Sequence, residues 1–211
     1  DFLIVIENGI QFLVRPAEGQ KTGLFLDQRE HRRIIGTMSN NKVVSNLFAY
    51  NGGFSIYAAM AGASRVYSID IAPKAIEDAK EIFRLNGINP DDHVFEVQDA
   101  FKWQAPESID VFICDPPSLS KGKRSDRNAF QAYQDLASSC AKQIQKGNVL
   151  ATASCTARLT SKEWEQSISQ GISKHGQWSW AWRSYEPIDH LVAMGHNEGR
   201  YLKFALLHRR Q

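Results

Sequence analysis

Glycine, acidic and cysteine residues recur directly after apolar segments of this sequence. Gly52 and Gly53 follow the run LFAYN, and single carboxylates follow the next two apolar runs at Asp70 and Asp99. Glycines between a buried strand and a helix allow a ligand to approach the backbone. An acidic residue roughly 20 positions after such a turn can accept hydrogen bonds from a ribose diol. Together these residues indicate a site for an adenosine-containing cofactor.

The glycine spacing distinguishes between two kinds of cofactor. A dinucleotide site has the pattern G-x-G-x-x-G, which brings a pyrophosphate to the N-terminus of a helix. Here the turn is short, and its neighbours Phe48, Tyr50 and Phe54 are bulky. This composition favours a cofactor with an amino-acid tail and no phosphate, S-adenosyl-L-methionine. Asp99 would then accept from the adenine amine, and its alternative role is to cap a helix over the following residues.

A second pair of candidate residues follows two later apolar runs. Asp115 precedes two prolines, which extend the chain and remove backbone donors, so that its carboxylate can hold a substrate amine or ring nitrogen. Cys155 lies between Ser154 and Thr156 at the end of the segment NVLATASCT. A thiolate at such a strand end can act as a covalent nucleophile, whereas a free cysteine is otherwise a small buried apolar residue.

The predicted elements place these residues at strand ends. Short β-rich runs at residues 2–7 and 10–15 flank Asn8-Gly9, which predicts a hairpin. From Val43 onward strands alternate with helices that have apolar residues at helical spacing and end near glycine. This alternation predicts an α/β fold with a doubly wound, mostly parallel sheet and a short N-terminal β-hairpin extension. Ligands of such sheets bind at the carboxyl ends of the strands.

Composition and charge narrow the class of protein. The 211 residues are 43% hydrophobic and 23% charged, which is typical of a globular domain with a sizeable core. The net charge of +2 allows a nucleic-acid partner without requiring one. No run approaches the roughly 18 apolar residues of a membrane span, and no metal-type cysteine spacing occurs. The three cysteines indicate free thiols and a cytoplasmic location, with Cys114 and Cys140 interpreted as buried apolar residues.

The motifs resemble those of the class I S-adenosylmethionine-dependent methyltransferases. The matching segments are NLFAYNGGFSIYAAMAGA, SIDIAPKAIEDAKEIFRLNG, VQDAF, DPPSLSKGK and SCT. More narrowly, GQKTGLFLDQREHRR and DHLVAMGHNEGRYLK resemble the ribosomal RNA large-subunit methyltransferases, the group that includes the 23S rRNA 5-methylcytosine enzymes. The resemblance covers nearly the whole chain, and GQKTG-x-FLDQR is its most specific element.

This resemblance implies a Rossmann-like fold and a set of cofactor-binding residues. The residues that would surround S-adenosyl-L-methionine are Phe48, Gly52, Gly53, Asp70, Ile71, Asp99, Ala100 and Asp115. The residues that would close over it from the upstream segment are Lys21, Phe25 and Gln28. We therefore expect residues 1–36 to form the hairpin and a cofactor-covering segment, and residues 37–211 to form the methyltransferase domain.

The resemblance also implies a reaction and a partner. Cys155 falls where 5-methylpyrimidine RNA methyltransferases have their nucleophile, so that it would add to cytosine C6 while Asp115 holds the base. The partner would be RNA, and four basic residues would contact its phosphates unless they form a solvated loop: Lys121, Lys123, Arg124 and Arg127. Relatives without the cysteine methylate guanine.

Three functions stay open from the sequence. The first is RNA cytosine-C5 methylation, with ribosomal RNA as the expected substrate and Cys155 as nucleophile. The second is methylation of guanine or of a small molecule with Cys155 as a structural residue. The third is a non-catalytic RNA- or adenosine-binding module, which the set of Asp70, Asp99, Asp115 and Cys155 argues against.

Overall fold

The computed structural model describes residues 1–17, 23–119, 126–196 and 199–211, and of residues 126 and 127 it describes only the backbone. The chain divides into two compact units, Asp1–Trp103 and Gln104–Gln211. Each unit has α-helices and parallel strands of its own.

The first unit begins with the predicted hairpin. Strands β1 (Leu3–Glu7) and β2 (Ile10–Val14) pair in antiparallel fashion. Asn8 and Gly9 between them have φ values of 50° and 82°. A two-residue turn of this kind needs positive φ at both positions, which asparagine and glycine adopt at least cost. The hairpin prediction is confirmed.

Three parallel strands form the sheet of the first unit. They are β3 (Val43–Leu47), β4 (Arg65–Asp70) and β5 (Val94–Val97), paired in the order β5-β4-β3. The helices of this unit are α1 (Arg29–Thr37), α2 (Gly53–Met60) and α3 (Pro73–Leu85). The apolar residues predicted to share one face of α3 are all buried: Ala75, Ile76, Ala79, Ile82 and Phe83. Because the three strands are parallel, their carboxyl ends meet at one edge.

The second unit combines parallel and antiparallel pairing. Strands β6 (Val111–Cys114) and β7 (Val149–Ser154) are parallel, and helices α4 (Asp126–Ala141) and α5 (Ser161–Ile172) precede and follow β7 along the chain. The last strands, β8 (Trp178–Ser184) and β9 (Lys203–Arg209), are antiparallel to each other, and β9 is antiparallel to β7. This pairing brings the first residue of β9 to the carboxyl end of β7.

Candidate active site

The turn between β3 and α2 has an unusual backbone conformation. Phe48, Tyr50 and Gly52 have positive φ values of 59°, 49° and 77°. Positive φ is uncommon in residues other than glycine and costs about 1 kcal/mol or more at each position, so surrounding contacts must hold it. Backbone outliers of this kind cluster at ligand sites. The strain of this turn therefore lies in two aromatic residues, whereas Gly52 adopts positive φ at little cost, and the turn's role as a ligand site stays a prediction.

The protein's own packing requires the two glycines of this turn. A Cβ on Gly52 would lie 3.0 Å from the Cβ of Ala79, and a Cβ on Gly53 would lie 3.2 Å from the Cδ of Arg32. Gly52 also adopts the left-handed conformation immediately before α2. Close approach by α3 and by Arg32 thus accounts for both glycines, and their place beside a cofactor stays a prediction.

Asp70, the last residue of β4, is bonded to this turn. Its Oδ2 accepts a hydrogen bond from the Tyr50 N–H at 2.8 Å, and its Oδ1 accepts one from the Ala72 N–H at 2.9 Å. A carboxylate has about four lone-pair positions, so roughly half of its accepting capacity is left for hydroxyl groups of a ligand. Asp70 can therefore hold the strained turn and bind a ribose diol at the same time.

Exposed apolar side chains follow the ends of β4 and β5. Ile71, Val97 and Phe101 are 71%, 54% and 50% exposed. Val97 pairs in register with Asp70, and the Phe101 ring packs edge-on against Phe48 with their centroids 5.0 Å apart. Large apolar groups that protrude beside a carboxylate are suited to cover the faces of a flat ligand such as adenine. Sequence patterns pointed to Ile71 and Phe48 but not to Val97 or Phe101.

Asp99 forms a turn. Its Oδ1 accepts from the Phe101 N–H at 3.0 Å, and its carbonyl accepts from the Lys102 N–H at 2.9 Å. Residues 99–102 do not continue into a helix, so the alternative role of Asp99 as a helix cap is wrong. The second carboxylate oxygen of Asp99, Oδ2, lies 3.4 Å from Nζ of Lys102. The neighbouring residue Ala100 is buried.

Of the upstream residues, Phe25 lies against the turn. Its ring packs edge-to-face on Tyr50 with centroids 5.4 Å apart, and its carbonyl accepts from Nη1 of Arg32 at 2.8 Å. Gln28 is buried, and its Oε1 is hydrogen-bonded to Nδ1 of His31. Phe25 therefore lies beside the turn and Gln28 contacts α1, and their role in covering a cofactor stays a prediction. Lys21 lies outside the described residues.

A buried ion pair supports this region, and no sequence motif identified it. Nε and Nη2 of Arg32 donate to the Glu7 carboxylate at 2.9 and 2.7 Å, and the Tyr57 hydroxyl donates to the same carboxylate at 3.0 Å. Burial raises the pKa of Tyr57 to about 12, so that the hydroxyl stays protonated and remains a donor. The pair joins the hairpin to α1 and α2. The signal available in the sequence was a single charged residue, Glu7, at the end of the otherwise apolar strand β1.

Asp115 and Cys155 occupy equivalent positions in the second unit. Each directly follows a strand, β6 and β7, and these strands pair in parallel with Cys114 opposite Thr152. Both residues therefore lie at the same edge of the sheet, as predicted. Cys155 is half-buried, whereas Cys114 and Cys140 are buried, and none of these three described cysteines forms a disulfide. The interpretation of the latter two as buried apolar residues is confirmed.

The environment of Cys114 keeps it protonated. Its contact with Cys140 and its burial raise the pKa of the Cys114 thiol well above the usual range, and the negative charge of Asp115 adds to this effect. The Cys114 thiol is therefore not suited to nucleophilic chemistry, which requires the thiolate. Cys155 is the half-buried member of the three and the better candidate.

Buried polar side chains hold the chain on both sides of Cys155. Ser154 Oγ donates to the Tyr133 hydroxyl at 3.0 Å, and Lys203 Nζ donates to the Thr156 carbonyl at 2.6 Å. Neither Tyr133, on the buried side of α4, nor Lys203 was predicted, because their spacing from Cys155 in the sequence carries no pattern.

The pKa of Tyr133 depends on the charges of both Asp115 and Cys155. Burial raises the pKa of the Tyr133 hydroxyl, and negative charge on Cys155 and on Asp115 raises it further. Ser154 and the backbone of Leu119 oppose this shift through hydrogen bonds. The Tyr133 hydroxyl therefore stays protonated close to both Asp115 and Cys155, and these three side chains form one cluster.

Some of the predicted features cannot be placed. Lys121, Lys123 and Arg124 lie outside the described residues, as does the side chain of Arg127. Within the described ranges, no group of three or more His, Cys, Asp or Glu side chains is arranged to hold a metal ion. Among the same residues, no helix is long and apolar enough to cross a membrane.

Comparison with known proteins places this geometry in a family. Residues 2–155 match the S-adenosylmethionine-dependent methyltransferases. The chain is 35% identical over 213 residues to a Deinococcus radiodurans protein named ribosomal RNA large subunit methyltransferase. It is 30% identical over 207 residues to a Shewanella amazonensis protein named ribosomal RNA large subunit methyltransferase I. These alignments cover 98% and 95% of this chain but 52% of each relative, so the chain spans about half of their length.

A solved structure shows the same fold. A protein described as a methyltransferase complexed with SAH matches 98% of this chain with a TM-score of 0.84 and 27% identity, over 55% of its own length. The predicted fold is thereby confirmed: a class I methyltransferase fold with a mostly parallel sheet, flanking helices and an N-terminal hairpin. The family match runs from the hairpin to Cys155 and includes Asp70, Asp99 and Asp115. The chain belongs to the family of S-adenosylmethionine-dependent methyltransferases.

Proposed function

We propose that this chain methylates C5 of cytosine in large-subunit ribosomal RNA through a covalent adduct with Cys155. The observation that carries the proposal is the half-buried Cys155 thiol at the end of β7, at the same sheet edge as Asp115. The names of the Deinococcus and Shewanella relatives support ribosomal RNA as the substrate class.

The first unit provides residues that fit the adenosine part of S-adenosyl-L-methionine. Asp70 would accept from the ribose hydroxyls and Asp99 from the adenine amine, since each carboxylate retains accepting capacity beside its hydrogen bonds to backbone N–H groups. The apolar faces of Ile71 and Phe101 would cover the adenine ring. The other residues proposed to contact the cofactor are Lys21, Phe25, Gln28, Phe48, Gly52, Gly53, Ala100 and Asp115.

The second unit provides residues for the reaction of the base. The Cys155 thiolate would add to C6 of cytosine, which gives C5 the character of an enamine carbon. Asp115 would hold N3 and the exocyclic amine and so stabilise the charge that develops in the adduct. S-adenosyl-L-methionine, when bound, supplies the electrophilic methyl group. Loss of the C5 proton to a base and cleavage of the C6–S bond then release Cys155 as a thiolate.

The target cytosine must be unpaired or extruded from its stack to reach Cys155. The Tyr133 hydroxyl, which stays protonated close to Cys155 and Asp115, is suited to donate a hydrogen bond within this cluster. Its burial and its contact with Ser154 fix its position before the substrate binds. Contacts within the chain thus hold Tyr133 in place.

Tritiated methyl transfer into total RNA, followed by nucleoside analysis, tests the proposal. The expected product is labelled 5-methylcytidine, formed by the native chain and absent with Cys155→Ala. Labelled methylguanosine formed equally by both proteins would overturn the proposal and favour the alternative in which Cys155 is structural. Calorimetry with S-adenosyl-L-methionine checks that the Cys155→Ala protein still binds the cofactor.

A further inference from the structure

A buried lysine lies opposite the residue that precedes Cys155. Lys203 is the first residue of β9 and pairs in register with Ser154, the last residue of β7. It is 1% exposed, and its Nζ donates to the Thr156 carbonyl at 2.6 Å and to the Tyr201 carbonyl at 3.0 Å. Lysine is among the residues least often fully buried, because desolvation of the ammonium is costly. Interactions of the Lys203 ammonium must therefore offset the cost of its desolvation.

We propose that Lys203 is a positioning residue that holds the Cys155 thiolate in place and stabilises its charge. The proposal rests on the function proposed above for Cys155. By binding the Thr156 carbonyl, Lys203 fixes the backbone on the C-terminal side of Cys155, while Ser154 and Tyr133 fix the other side. Its ammonium also supplies a positive charge beside the thiol.

The charges around Lys203 agree with this role. Burial lowers the pKa of Lys203, and negative charge on Glu186 and on Cys155 opposes that lowering. The interaction is mutual, so an ammonium on Lys203 favours the thiolate form of Cys155. Glu186 is itself engaged, because its Oε1 accepts from the Leu202 N–H at 2.8 Å.

Among the described residues, Tyr133 and Asp115 are the other titratable members of this cluster. Tyr133 stays protonated, and a carboxylate on Asp115 disfavours a second negative charge nearby. An ammonium on Lys203 can offset the repulsion between Asp115 and a Cys155 thiolate. A purely structural lysine would hold Thr156 and Tyr201 but would not change how the reactivity of Cys155 depends on pH.

The rate of Cys155 alkylation tests the proposal without any methyl transfer. Iodoacetamide is applied to the intact chain between pH 6 and 10, and modification of the Cys155 peptide is followed by mass spectrometry. The variants are Lys203→Gln, which keeps N–H donors without the charge, and Lys203→Arg, which keeps the charge. Lys146→Gln is the matched control, because it makes the same change at an exposed lysine before β7, at the opposite end of this strand from Cys155. Thermal unfolding verifies that each variant is folded.

We expect the pH midpoint of Cys155 alkylation to rise by about one pH unit in Lys203→Gln, with an alkylation rate about tenfold lower at pH 7.5. Lys203→Arg should restore most of the native profile, and Lys146→Gln should leave the midpoint in place. An unchanged midpoint in folded Lys203→Gln would overturn the proposal. Activity retained by Cys155→Ala would instead refute the proposed function, so the two failures are distinguishable.

Discussion

The Tyr50 N–H donates a hydrogen bond to the Asp70 carboxylate at 2.8 Å and thereby joins a strained turn to the end of the neighbouring strand. Tyr50 and Phe48 both have positive φ, a conformation that persists only where other contacts enforce it. In this chain one carboxylate both enforces the turn and retains capacity for a ligand. Cofactor binding and the order of the turn should therefore depend on the same residue.

Substitution of Asp70 tests this dependence. We expect Asp70→Asn to weaken S-adenosyl-L-methionine binding about 30-fold in calorimetry, which corresponds to a loss of about 2 kcal/mol of charge-assisted hydrogen bonding. The asparagine amide cannot accept from both the Tyr50 and Ala72 N–H groups. Asp91→Asn, which makes the same change at an exposed position of this unit, serves as the control. Native affinity in Asp70→Asn would exclude Asp70 from the cofactor site.

Ile71 offers a test that separates binding from stability. Because its side chain is 71% exposed, Ile71→Ser should alter the free energy of unfolding by less than about 0.5 kcal/mol. Loss of apolar contact with adenine should weaken cofactor binding about fivefold, or about 1 kcal/mol. Ile188→Ser is the matched control, since Ile188 is 94% exposed and lies in the second unit. Equal cofactor affinities of the two variants would argue against an adenine contact at Ile71.

The buried Glu7–Arg32 pair should dominate the stability of the first unit. Arg32→Met leaves the Glu7 carboxylate buried without its cationic partner, and we expect a loss of about 3–5 kcal/mol in urea unfolding. Arg33→Met breaks the exposed contact with Glu30 and should cost less than about 1 kcal/mol. A comparable loss of unfolding free energy in both variants would show that burial does not determine how much an ion pair contributes to the stability of this chain.

Tyr57 makes the stability depend on pH in the alkaline range. Its pKa rises from 10.0 to about 12 in the folded chain, so between these values the unfolded chain releases the proton first. The free energy of unfolding should therefore fall as pH rises through this range, by up to about 2–3 kcal/mol relative to Tyr57→Phe. Paired denaturant titrations at pH 9 and pH 11.5 measure this. If the free energies of unfolding of the native chain and Tyr57→Phe differ by the same amount at both pH values, the raised pKa of Tyr57 is contradicted.

Local patterns were sufficient for the elements and for the strand-end residues. Alternation of strands and helices predicts parallel strands. Asp70 and Cys155 each lie at the carboxyl end of a parallel strand, where ligands of such sheets bind. Asn8-Gly9 predicts its own turn because the required φ values are properties of those residues.

The surroundings of the site could not be predicted in the same way. Lys203 reaches Thr156 because β9 pairs antiparallel with β7, a long-range pairing that no local pattern specifies. The sequence likewise does not reveal that Gly53 faces Arg32, since this contact depends on how α1 packs against α2. Residues that act through tertiary contacts become visible only in the folded chain.

Trapping with RNA that contains 5-fluorocytidine tests the covalent role of Cys155 most directly. The fluorine at C5 cannot leave as a proton does, so the adduct should accumulate when the chain, the RNA and S-adenosyl-L-methionine are mixed. We predict a band stable to denaturation whose nucleotide maps to the Cys155 peptide and which is absent with Cys155→Ala. Methylation of cytidine-containing RNA by the Cys155→Ala protein at the native rate, with no trapped band from the native chain, would contradict the account.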